Sequence, residues 1–210
     1  MKIEIREDSV RIDGYVNAVE RESKVLSGIL HGKPRKFVEK IKEGTFERAL
    51  ERAKRENREV KVLLNHDYDK ELANTKMRGT KLVEDAIGLR CVTEIRDKDA
   101  VNLAKQKKIS GWSFGFHCLK DNLENGDNDI VHREVRDIDL KEVSLLDNTR
   151  RPAYDGTSVE VRETKDEYVE IRCMTDKIEI EDFTENRNQE NTVSKDMMEY
   201  ERIYLETMEF

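Results

Sequence analysis

One stretch, K-I-S-G-W-S-F-G-F-H-C from Lys108 to Cys118, constrains the fold more than any other part of the chain. Side chains alternate between the two faces of a β-strand, so Trp112, Phe114 and Phe116 share one face. Three large aromatic rings so close together predict that this face is buried in a core. Ser113 then lies on the other face between two glycines, which is typical of a close approach or a ligand site. Taken alone, the stretch also fits an ordinary strand with small residues on its thinner face.

Short alternating runs along the rest of the chain predict a protein built mainly of strands. Two helices are expected between them, over residues 37–57, with Thr45 as a candidate N-cap inside that range, and over residues 98–107. This pattern indicates an α+β fold, namely a small, mostly antiparallel β-barrel, closed or half closed, with a few surrounding helices. The predicted strands cover residues 2–6, 10–16, 60–64, 80–83, 88–95, 108–118, 131–140, 142–146 and 159–161.

The composition changes near residue 163. Residues 163–196 contain no glycine or proline, are rich in charge and show little hydrophobic periodicity. Apolar side chains return in Met197–Met208 at the spacing of one amphipathic helix. We therefore assign residues 1–162 to a single domain and residues 163–210 to a charged C-terminal tail.

Charge and cysteine content exclude several classes of function. The net charge of -7 opposes nucleic acid as the main partner, because phosphate binding needs a basic surface. The three cysteines are an odd number without a C-x-x-C pair, which indicates free thiols in a reducing compartment. We expect a soluble intracellular protein, since no secretory signal and no apolar run of membrane-spanning length is found. No phosphate-binding, dinucleotide-binding or H-E-x-x-H motif occurs, so no cofactor or metal is expected.

The histidines offer one good candidate for a general base. His66 follows the apolar run V-L-L-N, at the point where a predicted strand ends and a side chain is both firmly held and open to solvent. An imidazole has a pKa near neutrality, so it can accept and return a proton at working pH. A strand-end histidine that only makes a loop hydrogen bond fits the same pattern. His117 shares a strand face with Ser113 and is a more distant candidate, whereas His31 and His132 lie in polar surroundings.

A glutamate inside an apolar run is the third notable feature. Glu142 lies in L-K-E-V-S-L-L, and burying a carboxylate costs several kcal/mol unless it has a partner. A histidine imidazole is a suitable partner, and the carboxylate would then orient it as in a serine–histidine–acid triad. An edge-strand glutamate that points into solvent is the alternative. Asp67 competes for the orienting role, although adjacent strand residues such as His66 and Asp67 point apart.

Taken in order, these stretches resemble the prohead (capsid maturation) serine proteases of tailed bacteriophages, a family related in fold to the herpesvirus assembly proteases. The resemblance runs from about Ile12 to Val161 and rests on the order and spacing of short motifs rather than on any one of them. The motifs are G-Y-V-N at 14–17, F-V-E-K-I-K-E-G-T-F at 37–46, L-L-N-H-D at 63–67, G-L at 88–89, S-G-W-S-F-G-F at 110–116, L-K-E-V-S-L-L at 140–146 and R-P-A-Y at 151–154.

The resemblance implies roles for five residues. Ser113 would be the nucleophile and His66 the general base. Glu142 would take the third position, where the herpesvirus relatives have a second histidine. Arg150, through its backbone N–H, and Arg151, through an ordered water, would help to form the oxyanion hole, although a surface charge pair fits these two residues as well.

Ser110 is the alternative nucleophile. It shares the aromatic face and is therefore expected to be less exposed than Ser113, and the family pattern places the nucleophile just before Phe-Gly-Phe. Ser113 is therefore the choice. The string G-W-S-F-G also matches the G-x-S-x-G expression of esterases, but no strand-to-helix turn follows it, so an esterase of the usual hydrolase fold is disfavoured.

The implied function is a serine endopeptidase that cleaves scaffold and major capsid protein segments, and itself, during phage head maturation. It would act inside the assembling prohead in the host cytoplasm, without cofactor, metal, nucleic acid or membrane, and as a homodimer like the related assembly proteases. The charged tail would tether the enzyme or be removed by self-cleavage. The alternative is a non-catalytic assembly scaffold or chaperone of the same fold, which has no reason to carry His66, Ser113 and Glu142 together.

Overall fold

The fold is dominated by β-strands. The computed structural model describes residues 1–149, 161–164, 167–174 and 177–184. Two helices, α1 (Thr45–Arg55) and α2 (Lys98–Lys105), occur in this part of the chain, and neither is long and apolar enough to cross a membrane. The strands are β1 (Lys2–Ile5), β2 (Val10–Ala18), β3 (Leu26–Leu30), β4 (Lys33–Ile41), β5 (Lys61–Leu64), β6 (Asp67–Asn74), β7 (Lys81–Glu84), β8 (Gly88–Ile95), β9 (Ile109–Asn125), β10 (Ile130–Asp147), β11 (Val161–Thr164), β12 (Glu167–Met174) and β13 (Glu179–Asp182).

The strands divide between two mixed sheets. One has the order β13-β1-β2-β8-β7, and the other has the order β11-β12-β9-β10-β4-β3, with β5 added to β10 and β6 added to β5. Most neighbours are antiparallel, but β1 and β13, β10 and β4, and β10 and β5 are parallel. The described residues form no closed barrel, so the closed or half-closed barrel expected from the sequence is not confirmed. Alternation predicts that a segment is a strand but not which strand it pairs with. Strand β10, for example, pairs with β4 along its first half and with β5 near its end.

The first helix is shorter than the sequence predicted. Phe37 and Ile41 lie in β4, because a spacing of four residues places side chains on one face of a strand as well as of a helix. Gly44 then adopts a left-handed conformation with φ of 78° and precedes the helix, which starts at Thr45. Gly44 is therefore the N-cap, and the prediction of Thr45 in that role was wrong.

The aromatic face of β9 forms part of the main core, as predicted. Trp112, Phe114 and Phe116 are all buried. The ring of Phe114 meets Phe46 of α1 edge to face, with centroids 5.3 Å apart, and stacks on Phe116 at the same distance. The opposite face of β9 is thus held on a rigid, close-packed support.

Two strands lie inside the segment that composition assigned to a tail. Strand β12 pairs with β9, and β13 pairs with β1. The sequence pattern missed β12 because two of its buried side chains, Glu170 and Arg172, are charged. The amphipathic helix expected at 197–208 lies outside the described residues.

Candidate active site

His66 is placed by a sharp turn at the end of β5. Strand β5 runs parallel to the end of β10, and the backbone N–H of Asn65 donates to Leu145 O at 2.9 Å. Asn65 and His66 both have positive φ, 54° and 60°, a conformation in which these two residue types are enriched. The turn brings the imidazole over β10, towards Glu142.

His66, Glu142 and Ser144 form a closed set of hydrogen bonds, which we call the site cluster. The Nδ1 atom of His66 lies 2.7 Å from Glu142 Oε1. Ser144 Oγ donates to Glu142 Oε2 at 2.5 Å and accepts from the backbone N–H of His66 at 3.1 Å. The side chains of His66 and Glu142 are only 4% and 2% exposed. Because both oxygens of the Glu142 carboxylate have partners, its buried charge is compensated. Since Nδ1 of His66 faces this carboxylate, Nε2 on the other side of the ring points away from it.

Gly115 provides the space for the Glu142 carboxylate. The two residues face each other across β9 and β10, and a Cβ on Gly115 would lie 2.6 Å from Glu142 Oε1. Any side chain at this position would therefore displace the carboxylate from His66. From the sequence, the glycines beside Ser113 indicated a close approach or a ligand site at that serine, whereas Gly115 makes room for Glu142.

Ser113 lies on the same face as the site cluster and is fully buried. Its register partners are Ser144 on β10 and Cys173 on β12. Its Oγ donates to the backbone carbonyl of Arg172 at 2.9 Å and accepts from the Cys173 thiol at 3.2 Å. The expectation that Ser113 is more exposed than Ser110 was wrong, because β12 was not foreseen.

Cys173 contacts both His66 and Ser113. Burial disfavours the charged imidazole, but the side chains of Cys173 and Glu142 stabilise it and raise the pKa of His66 to about 9. This arrangement favours the protonated form of His66, which cannot act as a base, and the Ser113 hydroxyl donates its hydrogen bond to the backbone carbonyl of Arg172. We call this arrangement the resting state. Nothing in the sequence beyond the residue type indicated that Cys173 would lie here.

The remaining candidates lie elsewhere. Asp67 is exposed and accepts the backbone N–H of Asp69 at 3.0 Å, so it does not orient His66. His117 lies opposite Asp139, farther along β9. Arg150 and Arg151 lie outside the described residues, and their role in an oxyanion hole stays a prediction.

A serine on β9, a carboxylate on β10 and an imidazole in the turn after β5 are the groups that serine peptidases use. A sequence model of the caudovirus prohead serine protease family matches residues 1–171 of the 210. The chain belongs to this family, which confirms the resemblance found from the motifs. Membership supports a serine protease role in the assembling phage head. A search of curated proteins and a search of solved structures found no match to the chain.

Proposed function

We propose that the chain is a serine endopeptidase that cleaves capsid and scaffold protein segments, and its own tail, inside an assembling phage head. Family membership supports the class of reaction and its setting. The observation that carries the chemistry is the 2.7 Å hydrogen bond between buried His66 and Glu142, on the same face of the sheet as Ser113.

The proposed reaction follows from these groups. Ser113 Oγ attacks the scissile carbonyl carbon while Nε2 of His66 takes its proton, and Glu142 stabilises the imidazolium that forms. The carbon–nitrogen bond then breaks as His66 gives the proton to the leaving amine. Water releases the acyl group by the same steps, with His66 again as the base. Backbone N–H donors near Arg150 would stabilise the oxyanion, each contributing roughly 3 kcal/mol.

Activity requires a change from the resting state. Ser113 is buried under β12, and its hydroxyl is engaged with Arg172 O and the Cys173 thiol. Substrate therefore reaches Ser113 only when β12 has moved. This is also the observation that favours the alternative, a non-catalytic assembly scaffold, because a buried serine performs no chemistry while it stays buried.

Co-expression with the cognate capsid and scaffold proteins tests the proposal. Intact masses are compared for wild type, Ser113→Ala and Ser110→Ala, the last being a matched control whose hydroxyl donates to Asp147 O instead. We expect wild type and Ser110→Ala to trim the partner proteins and the tail, and Ser113→Ala to leave every mass unchanged. If the masses of the capsid and scaffold proteins stay unchanged with wild type and both variants, the chain itself would be a non-catalytic assembly scaffold. A homodimer also stays a prediction, which light scattering of the same preparations would test.

A further inference from the structure

Strand β12 lies where an extended peptide would have to lie to be attacked by Ser113. It pairs antiparallel with β9 through Cys173 opposite Ser113, and the carbonyl of Arg172 accepts the Ser113 hydroxyl at 2.9 Å. The next residue, Cys173, turns its side chain towards His66, as contact between the two side chains shows. A leaving amine would lie on that side, where His66 has to deliver a proton. The segment thus has the placement of a bound, uncleaved peptide.

The side chain of Arg172 occupies a buried acidic site. Its Nε and Nη2 atoms donate to the two carboxylate oxygens of Glu39 at 2.6 and 2.7 Å. The guanidinium also lies 5.3 Å from the centre of the Phe116 ring. A planar fork held by both oxygens of one carboxylate and packed on an aromatic ring is a geometry that arginine fulfils and lysine does not.

A second recognition contact lies two residues earlier. Glu170 accepts two hydrogen bonds from Arg133, at 2.5 and 2.9 Å, and Arg133 also donates to Glu39 and Asp121. We call Glu39, Arg133, Glu170 and Arg172 the ion cluster. Its two members outside β12, together with Asp121, amount to one guanidinium and two carboxylates. When β12 leaves, Glu39 loses the Arg172 partner and Arg133 loses the Glu170 partner, and a peptide with an arginine and an acidic residue at these positions would replace both.

The ion cluster opens onto the surface. Arg133 and Glu170 border a cleft of about 650 Å³, whose walls include the exposed apolar side chains of Ile29 and Leu119. The cleft lies at the Glu170 end of the β12 position, so a longer peptide has room to continue into it.

We propose that the strand position beside β9 is the substrate site, and that it selects extended peptides with arginine at the residue whose carbonyl meets Ser113 and an acidic residue two positions earlier. Glu39 recognises the arginine and Arg133 recognises the acidic residue. Buried ion pairs add little net stability, but a missing partner is costly, so they discriminate strongly between occupants. This inference rests on the proposed function, because it identifies the substrate class of the same site.

The test uses the full chain and a fluorophosphonate, which modifies an activated serine. Arg172→Ala removes the hydrogen bonds between β12 and Glu39, so β12 should leave Ser113 more often. We therefore expect Ser113 to be labelled at least about 10-fold faster than in wild type. Arg172→Lys keeps the charge and serves as a folding control. Arg90→Ala removes a paired arginine of β8, whose partner is Asp13, and is expected to label like wild type.

Two peptides then probe the vacated position in Arg172→Ala. One copies residues 168–172, Y-V-E-I-R, and the other has leucine in place of the arginine. We expect the arginine peptide to protect Ser113 from labelling at a concentration roughly 10-fold lower than the leucine peptide, and Glu39→Gln to erase this difference. Equal protection by both peptides, or protection by neither while Ser113 is labelled, would overturn the inference and leave the proposed function standing. Absence of Ser113 labelling in every folded variant would contradict the proposed function, and this inference with it.

Discussion

The site cluster and the ion cluster lie on opposite faces of β9, and both bury charge, but in different ways. The site cluster has one carboxylate facing one imidazole, and a single proton decides whether it is an ion pair. The ion cluster has guanidinium groups instead. Burial disfavours the charged forms of Arg133 and Arg172, but the surrounding carboxylates raise the pKa of both residues, which ordinarily lies far above neutrality. One cluster can therefore change its charge during a reaction, and the other cannot.

Because of this difference, we expect the two clusters on the two faces of β9 to have different roles. A histidine can gain and lose a proton during a reaction, whereas fixed buried charges can only hold a partner in one geometry. Substitutions in the site cluster should therefore act on rate and pH dependence, and substitutions in the ion cluster on stability and recognition.

The largest effect is expected from Glu142→Gln. The amide keeps the shape but no longer fixes the proton on Nδ1 of His66, so kcat/KM for capsid-derived peptides should fall on the order of 10⁴-fold. Glu71→Gln is the matched control, since Glu71 is a strand carboxylate whose partners are Asn74 and Lys61. An equal loss of activity in the two variants would contradict the role given to Glu142.

Arg133→Met should act mainly on stability. It removes the guanidinium shared by Glu39, Glu170 and Asp121, and leaving buried carboxylates unpaired should lower the free energy of unfolding by about 3–5 kcal/mol. Urea denaturation measures the change. Arg58→Met removes a half-exposed partner of Asp139 and should cost less than about 1 kcal/mol. If the free energy of unfolding falls equally in both variants, the ion cluster does not stabilise the fold as proposed.

Gly115→Ala should lower kcat by about 100-fold without unfolding the protein. The added methyl group would displace the Glu142 carboxylate, and a misplacement of about 1 Å is costly in catalysis. Steady-state kinetics with circular dichroism measure both properties. Gly14→Ala, in β2, would crowd the Cβ and Cα of Met1, at 3.0 and 3.1 Å, instead of Glu142, and is the control that should keep full activity.

The smallest effect concerns pH. His66 must be neutral to act as a base, so activity should rise with pH through about 9, and Cys173→Ala should move the midpoint to lower pH because a group that stabilises the imidazolium is removed. We expect a displacement of about one pH unit in kcat/KM. A midpoint that is unchanged in Cys173→Ala would show that the thiol does not influence His66.

The same pKa has a consequence for stability. Since the pKa of His66 is raised above the ordinary value of 6.5, its contribution to stability is complete below pH 6.5 and is lost as pH rises through about 9. Thermal unfolding of Ser113→Ala, which leaves His66 in place, should therefore show a lower Tm at pH 9.5 than at pH 6.5, and His66→Gln should reduce this difference.

The sequence predicted the parts of the site that depend on local pattern. Alternation placed Ser113 opposite the aromatic core, and the cost of burying Glu142 pointed to an imidazole partner, a contact present between Glu142 and His66. Alternation could not predict which strands pair, so the expected barrel is not confirmed and β6 was missed. Strand β12 was missed because Glu170 and Arg172 are charged residues that are nevertheless buried as ion pairs. The sequence analysis therefore missed that β12 covers Ser113 and that Cys173 belongs to the site.

Modification of the intact chain by a fluorophosphonate, followed by peptide mapping, identifies which serine His66 and Glu142 activate. We expect a single modified serine, Ser113, and loss of the modification in His66→Gln and in Glu142→Gln. Modification of Ser110, or modification of Ser113 that is unchanged in both variants, would contradict the claim that His66 and Glu142 activate Ser113.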